Sequence, residues 1–83
     1  MSEMEEQLHQ QLLRLNDEAA AAGLDARIEA AVGDIKAARA AADKVGVGLF
    51  KEIYDNLVAD KRDLNTRRAA LEALLAGRLP QLD

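Results

Sequence analysis

With 83 residues and a net charge of −4, the chain is sized for one small domain spanning residues 1–83, and its acidity argues against non-specific binding to nucleic acid or anionic membranes. It has no cysteine and so no disulfide, its N-terminus is acidic and polar, and no apolar run is long enough to span a bilayer. A cytoplasmic protein with no membrane contact is expected. The apolar share of 49% is largely alanine and the only aromatics are Phe50 and Tyr54, so the core is thin. Association with another protein, or with itself as a homo-oligomer, is the expected source of further stability.

The first predicted helix runs from about residue 2 to 22. Ser2 is placed to cap it, and Glu3, Glu5 and Glu6 sit favourably at the positive end of its dipole. Met4, Leu8, Leu12, Leu15, Ala19 and Ala22 line one face, and Gly23 supplies a left-handed stop. Acidic residues outnumber basic ones in this part of the chain, where Arg14 is the only base; from Gly23 onward the charges balance.

The second helix, predicted from 25 to 45 with Asp25 as its cap, carries two apolar stripes. Leu24, Ile28, Ala31, Ile35, Ala38, Ala42 and Val45 form the larger one. Ala26, Ala30, Gly33, Ala37 and Ala40 form a second stripe of small residues, with its centre roughly 145° away at about 100° per residue. Asp25, Glu29, Lys36 and Asp43 separate the stripes on one side, and Arg27 and Asp34 on the other. Such a helix is suited to packing on two faces, either as a middle helix, with the first helix over part of the alanine stripe, or against an outside partner. Exposed alanine on a solvated face is the alternative.

Gly46-Val47-Gly48 reads as a tight turn, and it lacks the lysine, the hydroxyl residue and the preceding strand of a phosphate loop. A third helix is predicted from 49 to 76, with Gly77 as its stop and Pro80 barring continuation. Phe50, Leu57, Leu64 and Leu71 recur every seven residues, a coiled-coil spacing. The companion positions are apolar at the ends (Ile53, Tyr54, Leu74, Leu75) and charged in the middle (Asp60, Lys61, Arg67, Arg68). Either the helix breaks near Asn65-Thr66, or it is continuous and its polar middle overhangs its neighbours, solvated or bound to something else. The leucine repeat crosses the site in phase and favours continuity.

Short connections at Gly23 and at Gly46 to Gly48 imply antiparallel neighbours. The expected fold is therefore all-α: an antiparallel three-helix bundle, or a helical hairpin with a long third helix, with a coiled-coil-like oligomer as the alternative.

Little in the sequence points to chemistry. His9 stands alone with Glu5 and Glu6 nearby, short of the convergent ligands a metal needs. Ser2 is the only serine and Thr66 the only threonine, which leaves nucleophilic catalysis almost nothing to use. Carboxylates interleave with bases at ion-pair spacings: Asp63 and Arg67 are four apart, whereas Glu29 and Lys36 are a turn too far for each other. No enzyme activity, cofactor, metal or small-molecule substrate is expected, and a small enzyme with a site assembled between subunits is the least favoured reading.

Lys61, Arg62, Arg67 and Arg68 form the one basic cluster. With Asp60 and Asp63 among them they read as a mixed-charge solvated face, or as a surface for an acidic partner. Nucleic-acid binding is the alternative function they carry. The preferred expectation is a protein-interaction module, an adaptor, inhibitor or assembly factor. Its candidate partner-binding residues are Ala26, Ala30, Gly33, Ala37 and Ala40, with Tyr54, Lys61, Arg67 and Arg68.

Overall fold

The computed structural model describes residues 3–77, and every regular element among them is an α-helix. They are α1 (Glu3–Ala22), α2 (Leu24–Ala40) and α3 (Lys44–Leu75). The fold is all-α, of the helical hairpin and bundle kind with a long third helix. The expected Ser2 cap and the role given to Pro80 lie outside the described residues.

The chain divides into two compact units, one of Met1–Ala22 with Asp63–Asp83 and the other of Gly23–Arg62. α3 contributes its C-terminal part to the first and its N-terminal part to the second. It passes through Asn65 and Thr66 without a break. At 1.5 Å per residue its 32 residues span about 48 Å.

In the first unit α1 buries Leu15 and half-buries Leu8, Leu12, Ala19 and Ala22. This is the predicted face except for Met4, which is exposed. From α3 come the half-buried Leu64, Leu71, Leu74 and Leu75. Arg68 Nε donates a hydrogen bond to Asn16 Oδ1 at 3.0 Å, and Arg67 lies 4.0 Å from Glu18. The charged middle of the third helix was expected to overhang and to need solvent or an outside partner. In the structure Asp60, Lys61 and Arg67 are exposed and Arg68 is half-buried, and within this unit α1 supplies Asn16 and Glu18 to the two arginines.

In the second unit α2 and the first half of α3 form an antiparallel hairpin. The larger stripe of α2 faces inward, with Leu24, Ala31 and Ala38 buried and Ile28 and Ile35 half-buried. Leu57 is buried opposite, flanked by the half-buried Phe50 and Tyr54. At the open end Lys61 forms an ion pair with Asp25 at 2.6 Å. Both side chains are well exposed, so the pair contributes between nothing and about 1 kcal/mol.

Three boundaries of this hairpin differ from the sequence expectation. Asp25 does not cap α2. The N-cap is Gly23, in the left-handed region at φ 55° with no side-chain cap, and its carbonyl accepts the amide of Arg27. α2 ends at Ala40 instead of residue 45, and α3 starts at Lys44 instead of 49. The connection is Ala41-Ala42-Asp43, and Gly46-Val47-Gly48 lies inside the first turns of α3.

Local hydrogen bonding explains the shift. Ala42 takes the left-handed conformation at φ 56°, its amide donating to Arg39 O while that of Asp43 donates to Ala38 O. These two bonds close the helix end as a Schellman motif. Asp43 Oδ1 then accepts the amide of Gly46 and caps the next helix. Two glycines do not force a turn when an aspartate three residues ahead caps the segment. Ala42 and Val45 consequently leave the inward stripe of α2. At the other end of α3 the expected stop holds, with Gly77 at φ 68° donating its amide to Leu74 O.

Candidate functional site

The face of α2 opposite its buried stripe is solvent-facing along its whole length. Ala26, Ala30, Gly33, Ala37 and Ala40 are all exposed, and a Cβ built on Gly33 meets nothing within 4 Å. The sequence reading allowed the first helix to lie over part of this stripe; in the structure all five residues are exposed. The two-stripe pattern packs α2 on one side only.

A second apolar feature adjoins that face. Val45, Leu49 and Ile53 recur every four residues on α3 and are 83%, 54% and 41% exposed. Ile53, Phe50 and Leu57 line an open groove together with Arg27, Ala30 and Asp34 of α2. Ala30 therefore belongs both to the exposed stripe and to the wall of the groove. In the sequence the row Val45-Leu49-Ile53 is masked because Val45 also continues the larger stripe of the second helix. Its spacing of four was the available signal.

The remaining candidates are placed differently. Tyr54 is half-buried beside Leu57 on the inward side of α3, which removes most of its ring from reach of a partner. Lys61 is engaged by Asp25, Arg67 approaches Glu18 and Arg68 is held by Asn16. Lys61 belongs to the second unit, where it pairs with Asp25 of α2, and the two arginines belong to the first. Arg62 is exposed.

His9 is exposed, and among the described residues no group of three or more histidine, cysteine or acidic side chains is placed to hold a metal ion. No described helix is long and apolar enough to cross a membrane. Comparison with protein-family models, curated proteins and solved structures gives no match.

Proposed function

We propose that the chain is a non-enzymatic helical protein-interaction module, an adaptor, inhibitor or assembly factor, acting through the exposed face of α2. One observation supports this above the others: the face carries an unbroken small-residue surface that leads into a groove walled by Ile53 and Phe50. Small side chains let a second helix approach closely, and the adjoining large ones supply area to bury. The thin core favours the same reading, because Leu15, Leu24, Ala31, Ala38 and Leu57 are the buried apolar residues described and none is entirely enclosed. A cysteine-free chain suits the cytoplasm as the compartment.

The basic cluster gives less support to nucleic-acid binding, since three of its four members already meet acidic or amide side chains of the same chain. The test is to introduce Ala30→Glu and Ala37→Glu separately and to follow binding of proteins from the native host. Loss of binding with helicity retained supports the α2 face, whereas unchanged binding removes it. Co-purifying nucleic acid, with affinity falling steeply as salt rises, would replace this reading with the alternative.

A further inference from the structure

We propose that the first unit carries a docking groove of its own, which takes an amphipathic helix of another protein with acidic residues flanking its apolar stripe. The groove is separate from the α2 face and does not rest on the reading of that face. Arg14, Leu15 and Glu18 of α1 and Arg67, Ala70 and Leu71 of α3 line it, around a hollow of about 350 Å³ open to solvent. All six belong to the unit of Met1–Ala22 with Asp63–Asp83. Leu15 is buried and Leu71 half-buried, which makes the floor apolar. Ala70 is exposed and offers only a methyl group, where a longer side chain would fill the hollow.

The charges of the groove name the chemistry of its occupant. Arg14 is the only base of residues 1–22, which hold five acids. Its ordinary partners on a helix are Asp17 and Glu18, three and four positions on. Glu18 instead lies 4.0 Å from Arg67, and Arg14 makes no hydrogen bond or ion pair among the described residues. The walls therefore hold two guanidinium groups against one carboxylate, a positive spot on a chain of net charge −4. A guanidinium presents a planar fork that matches a carboxylate.

The shape of the unit points to a helix. Its helices are α1 and the C-terminal part of α3, and two helices side by side leave a furrow that a third can fill. An apolar side chain seated over Ala70 then brings carboxylates one turn before and after it toward Arg14 and Arg67. A nucleic acid fits less well, because Glu18 stands in the groove and a phosphate backbone would leave the leucine floor uncovered.

Selection of a displayed library of random peptides, each about 15 residues long, against the full chain tests this. The selected peptides should carry leucine, isoleucine or methionine at helical spacing, with aspartate or glutamate one turn to either side. A synthetic copy of the strongest is then titrated by fluorescence anisotropy. Arg14→Glu should weaken its binding by about tenfold or more, and Ala70→Leu should do the same by filling the hollow. Both positions are exposed on helices, so circular dichroism of the variants should match the parent chain. A peptide with lysine in place of its acidic residues should lose the parent chain and bind Arg14→Glu better. Ala30→Glu, on the α2 face, should leave the affinity unchanged.

Selected peptides without acidic residues, no selected peptide at all, or an affinity indifferent to both Arg14→Glu and Ala70→Leu overturns the assignment. Octanoate, an anion with an apolar tail, should bind far more weakly than the peptide; equal affinity would make the groove a site for small amphiphiles and overturn the helix. Loss of the peptide on Ala30→Glu would move it to the α2 face and overturn the groove, while the reading of α2 as a binding face would stand.

Discussion

Asp43 Oδ1 accepts the backbone amide of Gly46 at 2.9 Å, and that bond sets where α2 ends and α3 begins. The two residues also exclude any side chain at position 46. A Cβ built on Gly46 lies 2.8 Å from Asp43 Cγ and 3.4 Å from Ala38 Cβ. Gly46→Ala therefore has to displace the capping carboxylate. It gains about 1 kcal/mol of helix propensity and forfeits a cap worth about 1 kcal/mol, with the Ala38 contact added against it. No net gain in stability is expected. In an Asp43→Ala background the same substitution should stabilise, so a double-mutant cycle by urea denaturation should show coupling. Additivity within error would mean that the carboxylate is not what position 46 meets.

Gly48, two residues further on, should behave oppositely. It is exposed within α3, and a Cβ there meets nothing within 4 Å. Gly48→Ala should raise stability by about 1 kcal/mol, because alanine restricts the unfolded chain and costs the helix nothing. A lowered urea midpoint would show that the segment is not helical at this position.

Ala42 occupies the left-handed region, where an alanine side chain is disfavoured by about 1–2 kcal/mol. Ala42→Gly relieves this strain while making the unfolded chain more flexible, so the expected net gain is about 0.5–1 kcal/mol. The measurement is the thermal or urea midpoint. A loss of 1 kcal/mol would place the turn elsewhere, and the predicted Gly46-Val47-Gly48 connection would return.

Leu57 is 4% exposed at the centre of the α2–α3 hairpin, among Ala31 and Phe50. Leu57→Ala should cost about 2–5 kcal/mol, the range for a buried leucine. With so few buried side chains, that is a large share of a marginal total. The variant should be unfolded or molten at 37 °C, with near-ultraviolet dichroism from Tyr54 lost. A cooperative transition near the parent midpoint would show that Leu57 is not a principal core residue.

Much of the molecule is legible from residue spacing alone. The all-α class, the inward face of α1, the larger stripe of α2 as far as Ala38 and the heptad Phe50-Leu57-Leu64-Leu71 all follow from a period of 3.6 and from which side chains leave water. Gly77 as a stop follows from the left-handed conformation that glycine tolerates. These features are local, because a helix closes its hydrogen bonds within itself and needs only one apolar side to be placed.

The position of the turn and the state of the second stripe were decided elsewhere. Glycine density pointed to residues 46–48, but an alanine forced left-handed at position 42 and an aspartate cap at 43 won. That outcome is set by the hydrogen bonds that close α2 and cap α3, which residue spacing does not report. Likewise, nothing in Ala26, Ala30, Gly33, Ala37 and Ala40 says whether a helix of the same chain lies over them. Alanine is indifferent to burial, and only the structure shows all five exposed. The arginines of α3 are explained the same way: as sequence they are a basic cluster, and only the neighbouring α1 turns them into partners for Asn16 and Glu18.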